Sequence, residues 1–363
     1  MFNQEELSTS LILAIHPRIP FTRIGVYLNK QVIFLKKIIH DQNELDKFTG
    51  FPDQTEFRSK QILKELKEND IDIENIRIVI SGGGLLKPVS AGIFEMNDSI
   101  KKDLTNGFYG EDVLNLGGLI SNKITQALPG ARAFIVDPVS VDEFNDLARV
   151  SGHSAFTRKS VFHALKQISV VKEHAKTVMK KYNELNLIVC YLGNGITIAA
   201  HKQGRVIDST QGLDGDGPFS ITRSGSLPSG DLVRHCYSGK NTLDESLKMI
   251  SCKGGLYSYL GINNGYEIDL LIQQDNEKAK FYFKAMAYQV LKNIGSMYAV
   301  LKADVDAILL TGGLTNSEFF LNEIIEGLEK FPPVHIYSTD DIMEILAKNA
   351  FSLLNNETEI INY

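Results

Sequence analysis

Short runs of alternating apolar and polar residues predict pairs of strands joined by tight turns. Leu11–Ile33 reads as strand, polar turn, strand, short basic turn and strand, and Leu187–Ile207 repeats this plan about 175 residues later. A second pair of segments, Ile76–Leu86 and Asp306–Thr315, each places a β-branched strand before glycines. Solenoid repeats have much shorter periods, so the pattern predicts two duplicated domains.

Longer segments between these strands carry a helical period. Ser160–Tyr182 begins with a serine that can cap a helix, and Glu277–Leu301 places apolar residues on one face. The residues of that face are Met286, Val290, Ile294, Met297 and Leu301. Such a stripe is typical of a helix that packs on a sheet. Helices that alternate with strand hairpins predict an α/β fold with mixed sheets, and two such domains that face one another create a ligand cleft.

Composition and charge exclude several classes of protein. The 363 residues are 43% hydrophobic and 23% charged, as expected for a soluble globular protein, and a net charge of −6 without a long Lys/Arg run argues against nucleic-acid binding. No apolar stretch approaches the roughly 20 residues needed to span a bilayer. The acidic start MFNQEELSTS predicts no signal peptide, and hence a cytoplasmic protein without a membrane partner. Cys190, Cys236 and Cys252 are too widely spaced for a zinc motif and odd in number for a disulfide framework.

Two glycine-rich segments are candidates for phosphate binding. Leu192–Thr197 can aim backbone N–H groups at an anion, although Asn-Gly is also common in plain hairpin turns. Ser209–Leu232 is rich in Gly, Asp and Ser, but a calcium loop that starts at Asp214 would place Gly225 where a glutamate ligand is needed. Neither GxxxxGK[ST] nor GxGxxG occurs, which argues against a P-loop and against a Rossmann dinucleotide site.

Many motifs in a fixed order then point to one family. The motifs are GGLLKP, NLGG, FIVDPVSVDEF, RKSVFHAL, LGNG, LDGDGPF, KGGL, KAMAYQV and LTGGL, and they cover essentially the whole chain. Through these motifs the chain resembles the butyrate kinases, which belong to the acetate kinase family of the actin/hexokinase/Hsp70-type ATPase superfamily. The resemblance implies two actin/ribonuclease H-like domains, each a mixed five-stranded sheet flanked by helices, with a cleft between them. The N-terminal domain would span 1–139 plus about 343–363, and the C-terminal domain, with the nucleotide site, 140–342.

The resemblance also implies an activity, namely reversible phosphoryl transfer between ATP and a short-chain carboxylate such as butyrate, giving ADP and an acyl phosphate, with Mg²⁺ and in a homodimer. Asp137 in IVDP matches the aspartate near the metal, although Asp-Pro also starts ordinary turns. His163 matches a histidine near the transferred phosphoryl group, although a helix-face histidine bonded to backbone is the more common case. Arg223 in TRSG matches the transition-state arginine.

Further positions are assigned to the nucleotide by the same resemblance. Gly193, Asn194 and Gly195 match the second phosphate loop. Gly312 and Gly313 match the adenosine-side turn, where backbone without side chains allows close approach. In the first phosphate turn Thr22 is retained and Arg23 stands in place of a lysine, so both are candidate phosphate ligands.

Several other positions depart from the family pattern. The first turn reads His16-Pro17-Arg18-Ile19-Pro20-Phe21, in which the small hydroxyl donors are missing and proline offers no N–H. Gly82, Asp112 and Tyr191 replace an arginine and two histidines, and Ile342 stands near an expected acidic residue. Two interpretations follow: an active carboxylate kinase in which Arg18 or Arg23 replaces the lost donors, or a catalytically impaired nucleotide-binding paralogue. A sugar kinase of the same superfamily is a third, less supported interpretation.

Overall fold

The computed structural model describes residues 9–337 and 341–363. Within these ranges the chain folds as two compact units, unit 1 with residues 9–141 and 341–363, and unit 2 with residues 142–337. The sequence places the corresponding boundaries after residue 139 and near residue 343. The acidic segment MFNQEELS, on which the prediction of no signal peptide rests, lies outside the described residues.

The strands are short and their residues are mostly buried. In chain order, the strands of the described residues are β1 (Leu11–Pro17), β2 (Phe21–Leu28), β3 (Gln31–Ile39), β4 (Ile76–Gly82), β5 (Ile93–Glu95), β6 (Arg132–Val136), β7 (Asn186–Leu192), β8 (Ile196–Lys202), β9 (Arg205–Ser209), β10 (Ala307–Thr311), β11 (Val334–Tyr337) and β12 (Ile360–Ile361).

The helices range from a single turn to one long helix in unit 2. In chain order, the α-helices of the described residues are α1 (Gln42–Leu45), α2 (Thr55–Glu68), α3 (Asp98–Asn106), α4 (Asn115–Thr125), α5 (Asp146–Arg149), α6 (Ala164–Thr177), α7 (Ser229–Cys236), α8 (Leu243–Ser251), α9 (Gly255–Leu260), α10 (Gly265–Gln273), α11 (Glu277–Val300), α12 (Glu318–Gly327) and α13 (Ile342–Leu354). Short 3₁₀ turns lie at Pro52–Gln54, Ile73–Asn75, Tyr182–Glu184 and Gly313–Asn316.

Unit 1 is built on one mixed sheet. Among the described residues the sheet has seven strands in the order β12-β5-β6-β4-β1-β2-β3, with β1, β4 and β6 parallel and the β1-β2-β3 meander antiparallel. The sequence predicts five strands for this sheet, which correspond to β3-β2-β1-β4-β6, and the structure corrects that number to seven. The additional strands, β5 and β12, extend the β6 edge and contain three and two residues. Strands this short show no alternation of apolar and polar residues.

Unit 2 repeats the plan with five strands among its described residues, in the order β9-β8-β7-β10-β11. The meander β7-β8-β9 is antiparallel, and β10 and β11 run parallel to β7. If the short edge strand β5 is left out of the count, so that β6 is the fifth strand of unit 1, both sheets contain the order 3-2-1-4-5 with the same strand directions. This confirms the internal duplication that the echo between Leu11–Ile33 and Leu187–Ile207 predicts.

Amphipathic helices cover the sheets as their periodicity predicts. The apolar face predicted on α11 is buried in the unit 2 core, and the exposed fractions of Met286 through Leu301 on that face are 0–4%. The helix expected from Ser160 begins instead at Ala164, with His163 at the N-cap. The prediction that Ser160 caps this helix is therefore wrong. The Val161 carbonyl accepts a hydrogen bond from the Gly212 N–H at 2.8 Å, so the residues before His163 are bonded to the loop at Gly212 and do not start the helix.

Among the helices within residues 9–337 and 341–363, none combines the length and the apolar character needed to cross a bilayer.

Candidate active site

The LGNG turn of unit 2 is the first candidate phosphate loop. It joins β7 to β8 with three residues, in which Gly193 N–H donates to the Gly195 carbonyl at 3.1 Å. Asn194 is exposed at the tip, whereas Gly193 and Gly195 are buried. The two strands pair directly up to Leu192 and Ile196, so the turn is held rigidly at the end of a buried hairpin. A rigid turn of this kind keeps its backbone N–H groups in a fixed orientation.

A second loop is bonded to this turn through Ser220, a residue that sequence reasoning did not identify. The fully buried Ser220 hydroxyl donates to the Asn194 carbonyl and accepts from the Arg223 backbone N–H at 3.2 Å. The KGGL segment supports the same loop, since Leu256 N–H donates to the Ser220 carbonyl at 2.9 Å. The LGNG, TRSG and KGGL motifs therefore form one continuous structure.

Gly195 allows two predicted catalytic side chains to reach the turn. A Cβ at this position would lie 2.8 Å from Arg223 Nη1 and 3.2 Å from His163 Cε1. These are closer than ordinary van der Waals contacts, so both side chains occupy space that a glycine leaves open. The structure thus brings Arg223, His163 and the predicted phosphate turn together within unit 2.

His163 is held on two sides. Its Nδ1 lies 2.9 Å from the hydroxyl of Thr197 on β8, and its ring stacks on Tyr191 with the ring centroids 4.0 Å apart and an interplanar angle of 24°. Thr197 is fully buried and also accepts from Gln167 Nε2 at 2.9 Å. Tyr191, at a position where the resemblance predicts a histidine, therefore serves as a stacking surface for the imidazole.

Gly312 and Gly313 follow β10, the neighbour of β7 in the sheet. Gly312 has φ +108°, and a Cβ there would come within 2.2 Å of the Leu192 carbonyl oxygen, so the position requires glycine. A Cβ on Gly313 would meet no atom within 4 Å. The GG turn therefore lies beside the end of β7, just before the LGNG turn, and leaves open backbone at that point.

Asp137 lies in unit 1, directly after β6, with φ +40°. Its backbone N–H donates to the Gly92 carbonyl at 2.9 Å, and its Oδ1 accepts from the Gly92 N–H at 2.8 Å. The residue is 3% exposed. A non-glycine residue in the left-handed region is held there by its surroundings, which is common at functional sites.

Asp137 also bears on the metal that the family implies. Among the described residues, no group of three or more His, Cys, Asp or Glu side chains forms a metal cluster. Mg²⁺ in phosphoryl-transfer sites usually takes one or two carboxylates and completes its shell with water and substrate phosphate. A single buried carboxylate therefore fits the way in which Mg²⁺ would be held.

Thr22 and Arg23, the candidate ligands of the first phosphate turn, lie on β2 of unit 1. The Thr22 side chain is fully buried, and its hydroxyl contacts Arg58 Nη1 at 3.0 Å and His40 Nε2 at 2.8 Å. Arg23 forms an ion pair with Asp341, the N-cap residue of α13. The Thr22 hydroxyl thus already uses hydrogen bonds inside the protein, and the Arg23 guanidinium has a carboxylate partner.

A buried arginine lies under the same turn, and its role is invisible in the sequence. Arg58 on α2 is 0% exposed and donates to the carbonyls of Arg18 at 2.8 Å and Ile19 at 3.0 Å. It also donates to Gln54 Oε1 at 2.7 Å. Burial lowers the pKa of its guanidinium to about 10, which still leaves it charged at neutral pH. The unusual Arg18–Phe21 turn is therefore anchored from below.

The other positions that depart from the family pattern lie at or near the ends of strands and helices. Asp112 accepts from the Leu114 N–H at 2.9 Å and leads into α4. Gly82 ends β4, where a Cβ on Gly117 would approach its carbonyl to 3.0 Å. Next to Ile342, Asp341 supplies a carboxylate at the start of α13 that sequence reasoning overlooked.

Comparison with known proteins places this geometry in context. A family model described as the acetokinase family matches residues 149–350. Butyrate kinase 2 of Clostridium acetobutylicum is 43% identical over 352 residues, which cover 97% of this chain and 99% of that protein. Acetate kinase from Porphyromonas gingivalis superposes with a TM-score of 0.77 at 17% identity, covering 95% of this chain and 100% of that chain. Propionate kinase from Francisella tularensis subsp. tularensis gives a TM-score of 0.75 at 16% identity, covering 93% and 98%. The structural likeness shows the fold, and the sequence matches show the family.

Proposed function

The chain belongs to the acetokinase family of carboxylate kinases, and from that premise we propose that it transfers a phosphoryl group reversibly between ATP and butyrate or a branched relative. The product is the acyl phosphate. The observation that carries the proposal is the convergence of Arg223 and His163 on Gly195 in the LGNG turn. Phosphoryl transfer needs donors and cations fixed around the transferred group, and little covalent work by the protein.

The described residues suit distinct roles in this reaction. Gly193, Asn194 and Gly195 bind ATP phosphates through the turn. Arg223 and His163 stabilise charge on the transferred group as donors fixed beside that turn. These are catalytic residues in the sense that they contact the reacting group.

The nucleotide and metal positions complete the proposal. The open backbone at Gly312 and Gly313 takes the adenosine side of ATP or ADP. Asp137 would hold Mg²⁺ together with phosphate oxygens, and the ion, when bound, offsets phosphate charge. The homodimer stays a prediction that follows from the family resemblance, and the cytoplasmic location stays one that follows from the sequence pattern.

A hydroxamate-trapping assay with ATP and Mg²⁺ tests the proposal. Acetate, propionate, butyrate and isobutyrate are offered in parallel, and we expect acyl phosphate with butyrate or isobutyrate above the acetate value. Arg223→Ala should lower the rate by roughly a hundredfold or more, the order expected for one preorganised donor. Acyl phosphate formation from none of the four acids would refute the proposed reaction.

The first turn favours a second candidate, a nucleotide-binding paralogue with impaired catalysis. Pro20 has no N–H, and the buried Thr22 hydroxyl is bonded to Arg58 and His40. Titration calorimetry with ADP and with ATP separates the two candidates. Tight binding of both nucleotides without acyl phosphate formation supports the paralogue, whereas an absence of heat at millimolar nucleotide with Mg²⁺ contradicts both.

A further inference from the structure

A buried chain of hydrogen bonds ends at the imidazole of His163. It starts at Tyr182, whose hydroxyl lies 2.8 Å from His201 Nδ1, and His201 Nε2 lies 3.0 Å from Gln167 Oε1. Gln167 Nε2 reaches the Thr197 hydroxyl at 2.9 Å, and that hydroxyl lies 2.9 Å from His163 Nδ1. His201, Gln167 and Thr197 are each 0% exposed, so water does not compete for the two bonds among these three residues.

The direction of the chain is set by the Gln167 amide. The same Gln167 nitrogen lies 3.1 Å from the Thr197 backbone carbonyl, which can only accept a hydrogen bond. The atom at this contact must therefore be the amide NH₂, and Oε1 must face His201 Nε2. Because Oε1 can only accept, His201 carries its proton on Nε2.

His201 is neutral in this environment. Burial lowers its pKa to about 3, so at neutral pH only one ring nitrogen carries a proton. Since that proton is on Nε2, Nδ1 accepts from the Tyr182 hydroxyl. All the donors thus run in one direction, from Tyr182 and His201 toward Gln167 and Thr197.

The last bond in the chain decides the state of His163. The Thr197 hydroxyl accepts a hydrogen bond from Gln167 Nε2. It also contacts two nitrogens of His163, the backbone N–H at 3.5 Å, which can only donate, and the ring Nδ1 at 2.9 Å. The acceptor for the hydroxyl proton is therefore His163 Nδ1. A nitrogen that accepts a hydrogen bond has no proton of its own, which leaves the proton of the neutral ring on Nε2.

We propose that Thr197, Gln167 and His201 are positioning residues that hold the neutral imidazole of His163 as the tautomer protonated at Nε2. In this form the ring presents an N–H donor on the side away from Thr197. The opposite tautomer would present a lone pair there and repel a phosphoryl oxygen. The value of this donor to catalysis rests on the proposed function, whereas the tautomer itself is a property of the fold.

Long-range ¹H–¹⁵N NMR of the full-length chain, labelled with ¹⁵N-histidine, reads the tautomer without substrate. His163→Gln assigns the signals by their loss. At neutral pH we expect the shift of a protonated nitrogen for His163 Nε2 and that of an unprotonated nitrogen for Nδ1. A proton on Nδ1, or on both nitrogens, in the wild-type chain overturns the proposal without any variant.

Two substitutions break the chain in different ways. Thr197→Val removes the donor to Nδ1 with little change of shape, and the two His163 nitrogens should move toward the averaged shifts of a tautomer mixture. Gln167→Glu replaces the amide donor by an acceptor, which draws the Thr197 proton away and favours a proton on Nδ1. Thr197→Ser keeps the hydroxyl and should restore the wild-type spectrum. Unchanged His163 signals in both Thr197→Val and Gln167→Glu overturn the proposal.

Thr210→Val is the matched control. Thr210 is 2% exposed, and its hydroxyl accepts from Ile198 N–H at 3.0 Å on the same strand as Thr197. Its loss should leave the His163 spectrum unchanged, whereas a change as large as that in Thr197→Val would mark a general structural effect and overturn the specific assignment.

Activity gives the second readout. Thr197→Val should lower kcat by roughly ten- to a hundredfold, the range seen when a group that orients a metal-bound histidine is removed. The KM for ATP should change by less than about threefold, and Thr197→Ser should restore the rate. The expected tautomer in a chain that makes no acyl phosphate supports the positioning and refutes the proposed function. A His163 protonated at Nδ1 in a chain that makes acyl phosphate supports the proposed function and refutes the positioning.

Discussion

At the scale of single residues, the missing side chain of Gly195 is the feature that allows Arg223 to reach the predicted phosphate turn. The neighbour closest to a Cβ at this position is Arg223 Nη1, the end of a flexible side chain, and the backbone lies outside the left-handed region that favours glycine. A methyl group can therefore be accommodated by displacing the guanidinium rather than by breaking the fold. The effect of such a substitution should be on function rather than on stability.

We predict that Gly195→Ala lowers the rate of acyl phosphate formation by roughly a hundredfold, the order of losing one well-placed donor. The melting temperature should change little. Gly152→Ala is the matched control in the same unit, since a Cβ on Gly152 meets no atom within 4 Å. Full activity in Gly195→Ala, together with a low rate in Arg223→Ala, would contradict the idea that the Arg223 guanidinium must lie beside the turn.

The family resemblance singles out His163 and Arg223 as candidates, but nothing in the sequence indicates the residues that hold them. Thr197 lies within the buried strand β8, and Gln167 lies on the buried face of α6. A polar residue inside an apolar pattern is the available signal, but it does not reveal the partner. The partners come from different elements, so their contacts depend on how α6 packs on the sheet.

At the scale of elements, the turn between β1 and β2 is tied to α2. The Arg58 guanidinium donates to carbonyls of the turn, to Gln54 and to the Thr22 hydroxyl, which in turn contacts His40. The side chains of Gln54 and Thr22 are buried, whereas the carbonyls belong to the exposed residues Arg18 and Ile19. Without Arg58 the buried Gln54 Oε1 loses this donor, and the Thr22 hydroxyl keeps its contact with His40. The degenerate sequence of the turn therefore forms an ordered structure.

Arg58→Met should reduce the free energy of unfolding by about 3 kcal/mol, because the buried Gln54 and Thr22 side chains and two turn carbonyls lose a donor, and a buried group left unsatisfied costs roughly 1–3 kcal/mol. Urea unfolding at pH 7 measures the change. Arg77→Met is the matched control, since Arg77 is half-buried and donates to backbone carbonyls beside its own strand. A loss below about 1 kcal/mol in Arg58→Met would show that the turn does not depend on this anchor.

The strands of this turn were predictable, whereas its anchor was not. Alternation in the first hairpin indicates β1 and β2, but Arg58 stands in a charged helical segment where arginines usually face solvent. Its carbonyl partners lie about 40 residues earlier in the chain. Backbone acceptors have no sequence signature, so only the tertiary packing of α2 on the hairpin reveals the contact.

At the scale of the whole molecule, each unit carries a histidine that folding keeps neutral. In unit 1 burial is the main cause that lowers the pKa of His40 to about 4, with the Arg58 charge adding to it. In unit 2 burial lowers the pKa of His201 to about 3. The ordinary value is 6.5 for both, so each unit has a proton-binding group that ionises far more easily in the unfolded chain.

The free energy of unfolding should therefore fall as the pH drops below about 6.5. Between this value and the folded pKa, the unfolded chain binds a proton that the folded chain excludes, so each histidine removes up to roughly 1.4 kcal/mol per pH unit. Above pH 7 both states hold these histidines neutral, and this contribution becomes constant.

The free energies of unfolding measured with urea at pH 7 and at pH 5 should differ by a few kcal/mol, and His40→Gln and His201→Gln should each reduce that difference. His153→Gln, at an exposed position, is the control that should preserve it. Equal free energies of unfolding for the wild-type chain at the two pH values would contradict the prediction, because a histidine that is buried in its neutral form lowers the stability of the folded chain in acid.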